Sequence, residues 1–285
     1  MRPAPFEYIA PRSAEEAIDK LAARAGEARL LAGGQSLVPL LNLRMARPAA
    51  LIDLGRCPEL AYARREGDWI VFGPMMRHAD VERSELVQAH CSLLAKALPF
   101  LGPPPVRSRG TIGGTLAHAD RLAELPAVAL ALGAEMIAQS PKGRRTIAAQ
   151  DFFVADLTTA LAPDEMLREV RFPVDRAGSV AGFAEATIRH HDLMLLGVAA
   201  HLELANGRCV AARLAVAGGH SVPQRLGAAE RELVRTGKVD ADALGEGVEL
   251  QGDGYASEAY RRRILPGLVE RAVAQALATG KPNAD

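Results

Sequence analysis

Two pairs of glycines, each beside hydroxyl side chains, are the residues of this chain best suited to chemistry. The first pair lies in Ala32-Gly33-Gly34-Gln35-Ser36, directly after an apolar run from Ala28 to Leu31. The second lies in Thr111-Ile112-Gly113-Gly114-Thr115. Consecutive glycines let successive backbone N–H groups turn to one side as a nest for an anion. The missing Cβ also lets a phosphate come close. Ser36, Thr111 and Thr115 add hydroxyl donors. A single Gly-Gly after a strand is usually only a turn, but two with like neighbours predict a pyrophosphate clamped from both sides. His118-Ala119-Asp120 follows the second pair. A histidine and an aspartate two apart suit a metal pair, a proton relay or a polar cofactor contact. No further ligand lies nearby, which favours the cofactor contact. Arg189-His190-His191-Asp192 is the other dense polar cluster, a metal site or an exposed loop. Arg261-Arg262-Arg263 reads as a solvated or subunit-facing stretch, and Gly218-Gly219-His220 as a strand exit.

The common nucleotide and hydrolase motifs are missing. Gly245 and Gly247 are followed by Leu250 where a GxGxxG motif needs its third glycine, so a Rossmann site is unsupported. Gly237-Lys238 is followed by Val239 and makes no P-loop, and neither HExxH nor GxSxG occurs. The cysteines are Cys57, Cys91 and Cys209, without ligand spacing, so this chain alone is not expected to hold zinc or an iron–sulfur cluster. A sparse, odd count fits a reducing compartment, and Met1 to Ser13 has no apolar signal core, so the expected location is cytoplasmic. Lys plus Arg and Asp plus Glu both number 34, and the zero formal charge speaks against a nucleic-acid binder. Aromatic residues are 4% of the chain, too few for a base-stacking platform. The longest apolar run, Leu125 to Ala134, is about half of a membrane span.

The elements that must hold these residues read as three regions within 285 residues, of which 49% are hydrophobic, enough for a real core. Residues 1–56 read as βαβ: a strand over Phe6 to Ile9, a helix from Ala14 behind the Ser13/Glu16 capping pair, then strands over Ala28 to Leu31 and Ala50 to Leu54. In residues 57–175, Trp69 to Phe72 is a strand and Ala79 to Leu98 is largely helical up to the Pro103-Pro104-Pro105 break. An apolar helix follows over Ala123 to Leu132, then strands over Glu135 to Gln139, Arg145 to Ile147 and Met166 to Phe172. The turn-rich stretch from Pro173 to Gly178 marks the main boundary. Residues 176–285 read as α+β, with strands from Ala181, a hairpin around Asn206-Gly207 and a terminal amphipathic helix over Ser257 to Ala278.

The run from Ala32 to Leu40 resembles the first flavin loop of the medium subunit of molybdenum hydroxylases, the family of xanthine dehydrogenase and carbon monoxide dehydrogenase. The run Val106-Arg107-Ser108-Arg109-Gly110-Thr111-Ile112-Gly113-Gly114-Thr115-Leu116-Ala117-His118-Ala119-Asp120 resembles the second. Asp151-Phe152-Phe153, Leu161-Ala162-Pro163-Asp164-Glu165, the Asn206-Gly207 hairpin and Tyr260-Arg261-Arg262 extend the likeness over nearly the whole chain. The resemblance implies a two-part FAD-binding unit of the vanillyl-alcohol-oxidase (PCMH-like) type plus a C-terminal α+β domain. It implies FAD held by Ala32, Gly33, Gly34, Gln35, Ser36, Leu37, Thr111, Ile112, Gly113, Gly114, Thr115, His118 and Asp120. Glu124, Leu161 and Gly102 are further implied contacts. The implied function is electron transfer from [2Fe–2S] clusters of a small partner subunit to FAD and on to an external acceptor. Those electrons come from substrate oxidised at a molybdenum cofactor on a large partner subunit, in a dimer of heterotrimers. Three departures stand out: Pro103-Pro104-Pro105 for Asp-Pro-Gln, Ser108 for Asn, and Leu193 for an aromatic over the flavin. Two readings compete: a stand-alone FAD oxidase or reductase, and a non-catalytic assembly subunit.

Overall fold

A computed structural model describes residues 2–24, 26–189, 192–239, 244 and 247–279. In the first region, β1 (Glu7–Ile9) and β2 (Ala28–Leu31) flank β3 (Ala50–Asp53) in a small parallel sheet. The crossover from β1 is α1 (Ala14–Ala22), whose Ser13 side chain accepts the Glu16 N–H at 3.1 Å as its sequence predicts. Ala14, Ala17, Ile18 and Leu21 form its buried face, at helical spacing. A short helix missed by the sequence reading, α2 (Leu37–Asn42), follows the first glycine loop.

The second region is an antiparallel sheet in the order β4 (Ala63–Glu66), β5 (Trp69–Phe72), β10 (Met166–Pro173), β6 (Glu135–Ser140), β7 (Gly143–Ala148). Before its middle strands come α3 (His78–Arg83), α4 (Glu85–His90) and α5 (Ser92–Ala97), three short helices where the sequence suggests one or two. Then follow α6 (Pro104–Arg107), α7 (Ile112–His118) and α8 (Glu124–Leu132). The sheet resumes with β6 (Glu135–Ser140) and β7 (Gly143–Ala148). After α9 (Ala149–Phe152), the hairpin of β8 (Phe153–Ala155) and β9 (Thr158–Thr159) leads to β10 (Met166–Pro173) at the centre. The three prolines occupy the N-terminal end of α6, where backbone N–H groups have no intrahelical partner to lose.

In the third region, β11 (Ser179–Thr187), β12 (Met194–Ala205), β13 (Arg208–Ala217) and β14 (Gln224–Arg225) form an antiparallel meander. Asn206 and Gly207, both at positive φ, turn β12 into β13 as the sequence predicts. α10 (Gly227–Thr236) and the long α11 (Glu258–Thr279) complete the chain. Gly182 of β11 has a packing reason: a Cβ there would lie 1.9 Å from the Ala272 carbonyl oxygen of α11.

Every residue of α8 is buried. One side joins the core under the five-stranded sheet, with Ile70, Phe72, Met136 and Val170, and the other meets β12 and β13. Beyond Glu124 the helix is apolar all round, which requires such enclosure. Arg261 is neither solvated nor subunit-facing, contrary to the expectation for this stretch: its side chain is fully buried, while Arg262 pairs on the surface with Glu258.

Candidate functional site

The two glycine loops meet, but with different backbones. In the first, Gly34 takes a positive φ of 74° and the Gln35 side chain donates to the Gly33 carbonyl at 3.1 Å. The N–H groups of Gly33, Gly34, Gln35 and Ser36 donate to no acceptor among the described residues. Gly33 must be glycine because a Cβ would lie 2.2 Å from the Arg109 carbonyl oxygen. That contact wedges the first loop against the second.

The second pair is not a loop but the first turn of α7, which corrects the expectation of a second nest. Thr111 is the N-cap, and its side chain accepts the Gly114 N–H at 3.0 Å. The Ile112 N–H donates to Met76 O, the Gly113 N–H to Pro74 O and the Thr115 N–H to Thr111 O, each at 3.0 Å. The N–H groups that could receive an anion are therefore engaged. Thr111, Ile112 and Gly113 are buried. A Cβ on Gly113 would lie 2.4 Å from the Pro74 Cβ, so this glycine serves close packing. A Cβ on Gly114 would stand 3.4 Å from the Ala32 Cβ, which brings the start of the first loop against α7. Gly114, Thr115, His118 and Asp120 keep partial exposure on the helix and just after it.

His78, which sequence reasoning missed, supports this helix from behind. It is 4% exposed, and its Nε2 stands 3.0 Å from the Thr115 hydroxyl. Its Nδ1 finds no partner. Burial pushes its pKa down to about 4, so the ring is neutral. No sequence pattern marks a lone histidine at a helix start. The adjacent Arg77 guanidinium donates to the Arg109 carbonyl and pins the segment before α7.

Ala119, at φ 52°, ends α7, and the Asp120 carboxylate accepts the Leu122 N–H at 2.9 Å before α8 begins at Glu124. Glu124 is 8% exposed, and its carboxyl is pushed up to about 8, first by burial and then by the nearby Glu185 carboxylate. Glu185, on β11, is itself raised to about 7 by burial, and its Oε2 is buried without a partner. Leu161 follows the β8–β9 hairpin, whose Leu157 N–H donates to Ala119 O at 2.9 Å at the end of α7. Gly102, at φ 71°, lies at the turn into α6, and its carbonyl accepts from Arg107 at 2.5 Å. The structure thus joins residues 32–34 directly to 109–114 and strings 118–124 along one connection, while Gly102 and Leu161 lie on flanking segments. His190 and His191 fall outside the described residues. Among the described residues no cluster of metal-binding side chains occurs, and no helix is long and apolar enough to cross a membrane.

Residues 4–175 match the family described as the FAD binding domain in molybdopterin dehydrogenase. This chain is a medium subunit of the molybdenum hydroxylase family. It is 38% identical, over 99% of its length and 98% of the relative's, to the 6-hydroxypseudooxynicotine dehydrogenase complex subunit alpha of Paenarthrobacter nicotinovorans. Among solved structures, it superimposes with a TM-score of 0.92 on a chain of carbon monoxide dehydrogenase from Hydrogenophaga pseudoflava, at 36% identity, covering 98% of this chain and 99% of that one. Quinoline 2-oxidoreductase from Pseudomonas putida 86 gives the same TM-score at 34% identity, again with 98% and 99% coverage. Like the other medium subunits of these oxidoreductases, it is an FAD-binding component of a multi-subunit complex. The residues present fit FAD: four consecutive N–H groups without an acceptor, on a loop wedged by a glycine, are a cradle for a pyrophosphate.

Proposed function

We propose that this subunit carries electrons from [2Fe–2S] clusters of a small partner subunit to an external acceptor, while a large partner subunit oxidises substrate at its molybdenum cofactor. The unpaired N–H groups of Gly33 to Ser36 carry the reading. When bound, FAD supplies the exchange between single electrons and electron pairs. Ala32 to Leu37 hold its pyrophosphate through backbone donors. Gly114, Thr115, His118 and Asp120 face it from α7 and the turn beyond, and Thr111, Ile112 and Gly113 hold that helix in place. Gly102, Glu124 and Leu161 complete the cleft from the flanking segments. Glu124, protonated at neutral pH by its burial, adds a hydrogen-bond donor there without adding a charge. The units are residues 1–56 and 57–175 for FAD and 176–285 for the third domain. The assembly is a cytoplasmic dimer of heterotrimers.

The test is purification of the chain from its native source under non-denaturing conditions. The expected particle contains two further subunits, with molybdenum, iron and FAD, at twice the mass of one heterotrimer. A flavin-loaded chain of about 30 kDa without partners, active alone, would overturn the reading in favour of a stand-alone oxidase or reductase.

A further inference from the structure

One carboxylate joins the connection between α7 and α8 to the third region. Arg121 lies within that connection, between Asp120 and Glu124, and its Nη2 donates to Asp253 Oδ2 at 2.7 Å. The same oxygen accepts from Arg261 Nη2 at 2.6 Å. Arg261 is the buried arginine of α11. Its Nε donates to Leu195 O at 2.9 Å, and its Nη1 to Gln251 O at 2.7 Å and Ala256 O at 3.0 Å. The other oxygen of Asp253 accepts the N–H groups of Tyr255 and Ala256 at 2.8 and 3.0 Å, so the carboxylate cannot swing away. On its own side, Arg121 is steadied by Asp156, whose Oδ1 accepts its N–H at 3.2 Å and whose Oδ2 stands 3.7 Å from its Nε.

This arrangement has two consequences. Arg261 makes four charge-assisted or carbonyl hydrogen bonds in a dry setting, and its sole counter-ion among the described residues is the carboxylate it shares with Arg121. Arg261 also fixes Leu195, just inside β12 and so at the base of the β11–β12 connection. Whatever orders residues 119–123 therefore also orders residues 251–256, the start of α11 and the base of that hairpin.

We propose that Arg121, Asp253 and Arg261 are positioning residues that couple occupancy of the cofactor loops to the seating of the third region. The coupling rests on the reading of residues 32–37 and 111–124 as the FAD cleft. Because coupling free energies are reciprocal, FAD should tighten the third region, and a loosened third region should release FAD.

The experiment is backbone amide exchange on the complex as purified, loaded with FAD and after the flavin is removed with concentrated potassium bromide. In the wild type, peptides within residues 250–262 should exchange at least fivefold more slowly with FAD. In Arg121→Gln that difference should shrink to less than twofold, while the flavin-free melting temperature stays within about 2 °C, because Arg261 keeps Asp253. Arg121→Lys should recover part of the difference, and Asp253→Asn should abolish it while also lowering the melting temperature. Equal slowing in wild type and Arg121→Gln would overturn the proposal. So would no slowing in a wild type that shows flavin absorbance. A wild type that shows none would overturn the FAD reading itself, and the coupling with it.

Discussion

The two Gly-Gly segments are near twins in sequence and opposites in structure. Gly33-Gly34 keeps its backbone donors unpaired in an open turn, whereas Gly113-Gly114 lies in a helix whose first N–H groups are all engaged by neighbouring chain. The first leaves donors open to an anion, as the proposed function requires, and the second is a joint of the framework. Paired glycines permit two different things, close approach of a ligand and close approach of the chain to itself. Which one applies is decided by acceptors far away in sequence, here Pro74 and Met76.

The largest test of this contrast is pH, because the framework joint rests on buried titrating groups. Glu124 is raised to about 8, so its stabilising contribution is complete below its unfolded value near 4.5 and is lost as pH rises through 8. Between pH 5 and 8 this amounts to roughly 4 kcal/mol. His78 acts with the opposite sign. Its depressed value near 4 gives stability that is complete above about 6.5 and falls by roughly 3 kcal/mol on acidification to pH 4. Thermal melts of the flavin-free chain across this range should trace a dome. Glu124→Gln should lessen the fall on the alkaline side, leaving the part that the buried Glu185 carries, and should not change the acid side; an unchanged alkaline side would remove Glu124 from the joint.

Gly113→Ala comes next. Its Cβ meets the rigid Pro74, and the overpacking should cost up to about 3 kcal/mol, equally with and without FAD. A loss seen only in the flavin-loaded protein would make this segment a receptor after all. Gly33→Ala should cost about 1–3 kcal/mol through the Arg109 carbonyl, and FAD affinity should fall at least tenfold as the cradle is pushed off the joint. Flavin content after gel filtration measures it, and full occupancy would break the contrast. Thr111→Val should remove the N-cap of α7 for about 1 kcal/mol. Ser36→Ala, at an exposed residue whose side chain caps nothing, should leave stability within about 0.5 kcal/mol, read from urea unfolding.

Much of this was legible in the sequence because local rules decide it. Ser13 caps α1, Asn206-Gly207 turns a hairpin, and Trp69–Phe72 is a strand closed by Gly-Pro, each a matter of a few neighbouring residues. Both Gly-Gly segments stood out by their composition too, and the family likeness extends over the chain. What escaped depends on distant partners. Thr111 looks like a ligand hydroxyl until Gly114 is seen to lie within its reach in a helix. The Arg261-Arg262-Arg263 run reads as surface because nothing in it says that Leu195, Gln251 and Asp253 enclose the first arginine alone. His78 and Glu185 carry no pattern at all; their importance comes from burial, which only the packed chain defines.

The enclosure of α8 bears on how this polypeptide can be made and cut. A boundary near residue 175 is clean along the chain, since each sheet stays on its own side of it. The apolar contact crosses it, because the second face of α8 is covered by strands synthesised later. A nascent chain that has released residues 1–175 thus presents a greasy helix flank to solvent until the meander emerges. A fragment ended there would keep that flank permanently and aggregate. Proteolytic nicking in the turn from Pro173 to Gly178 should leave the two pieces associated, held by α8 and by α5 and Phe100 against β11.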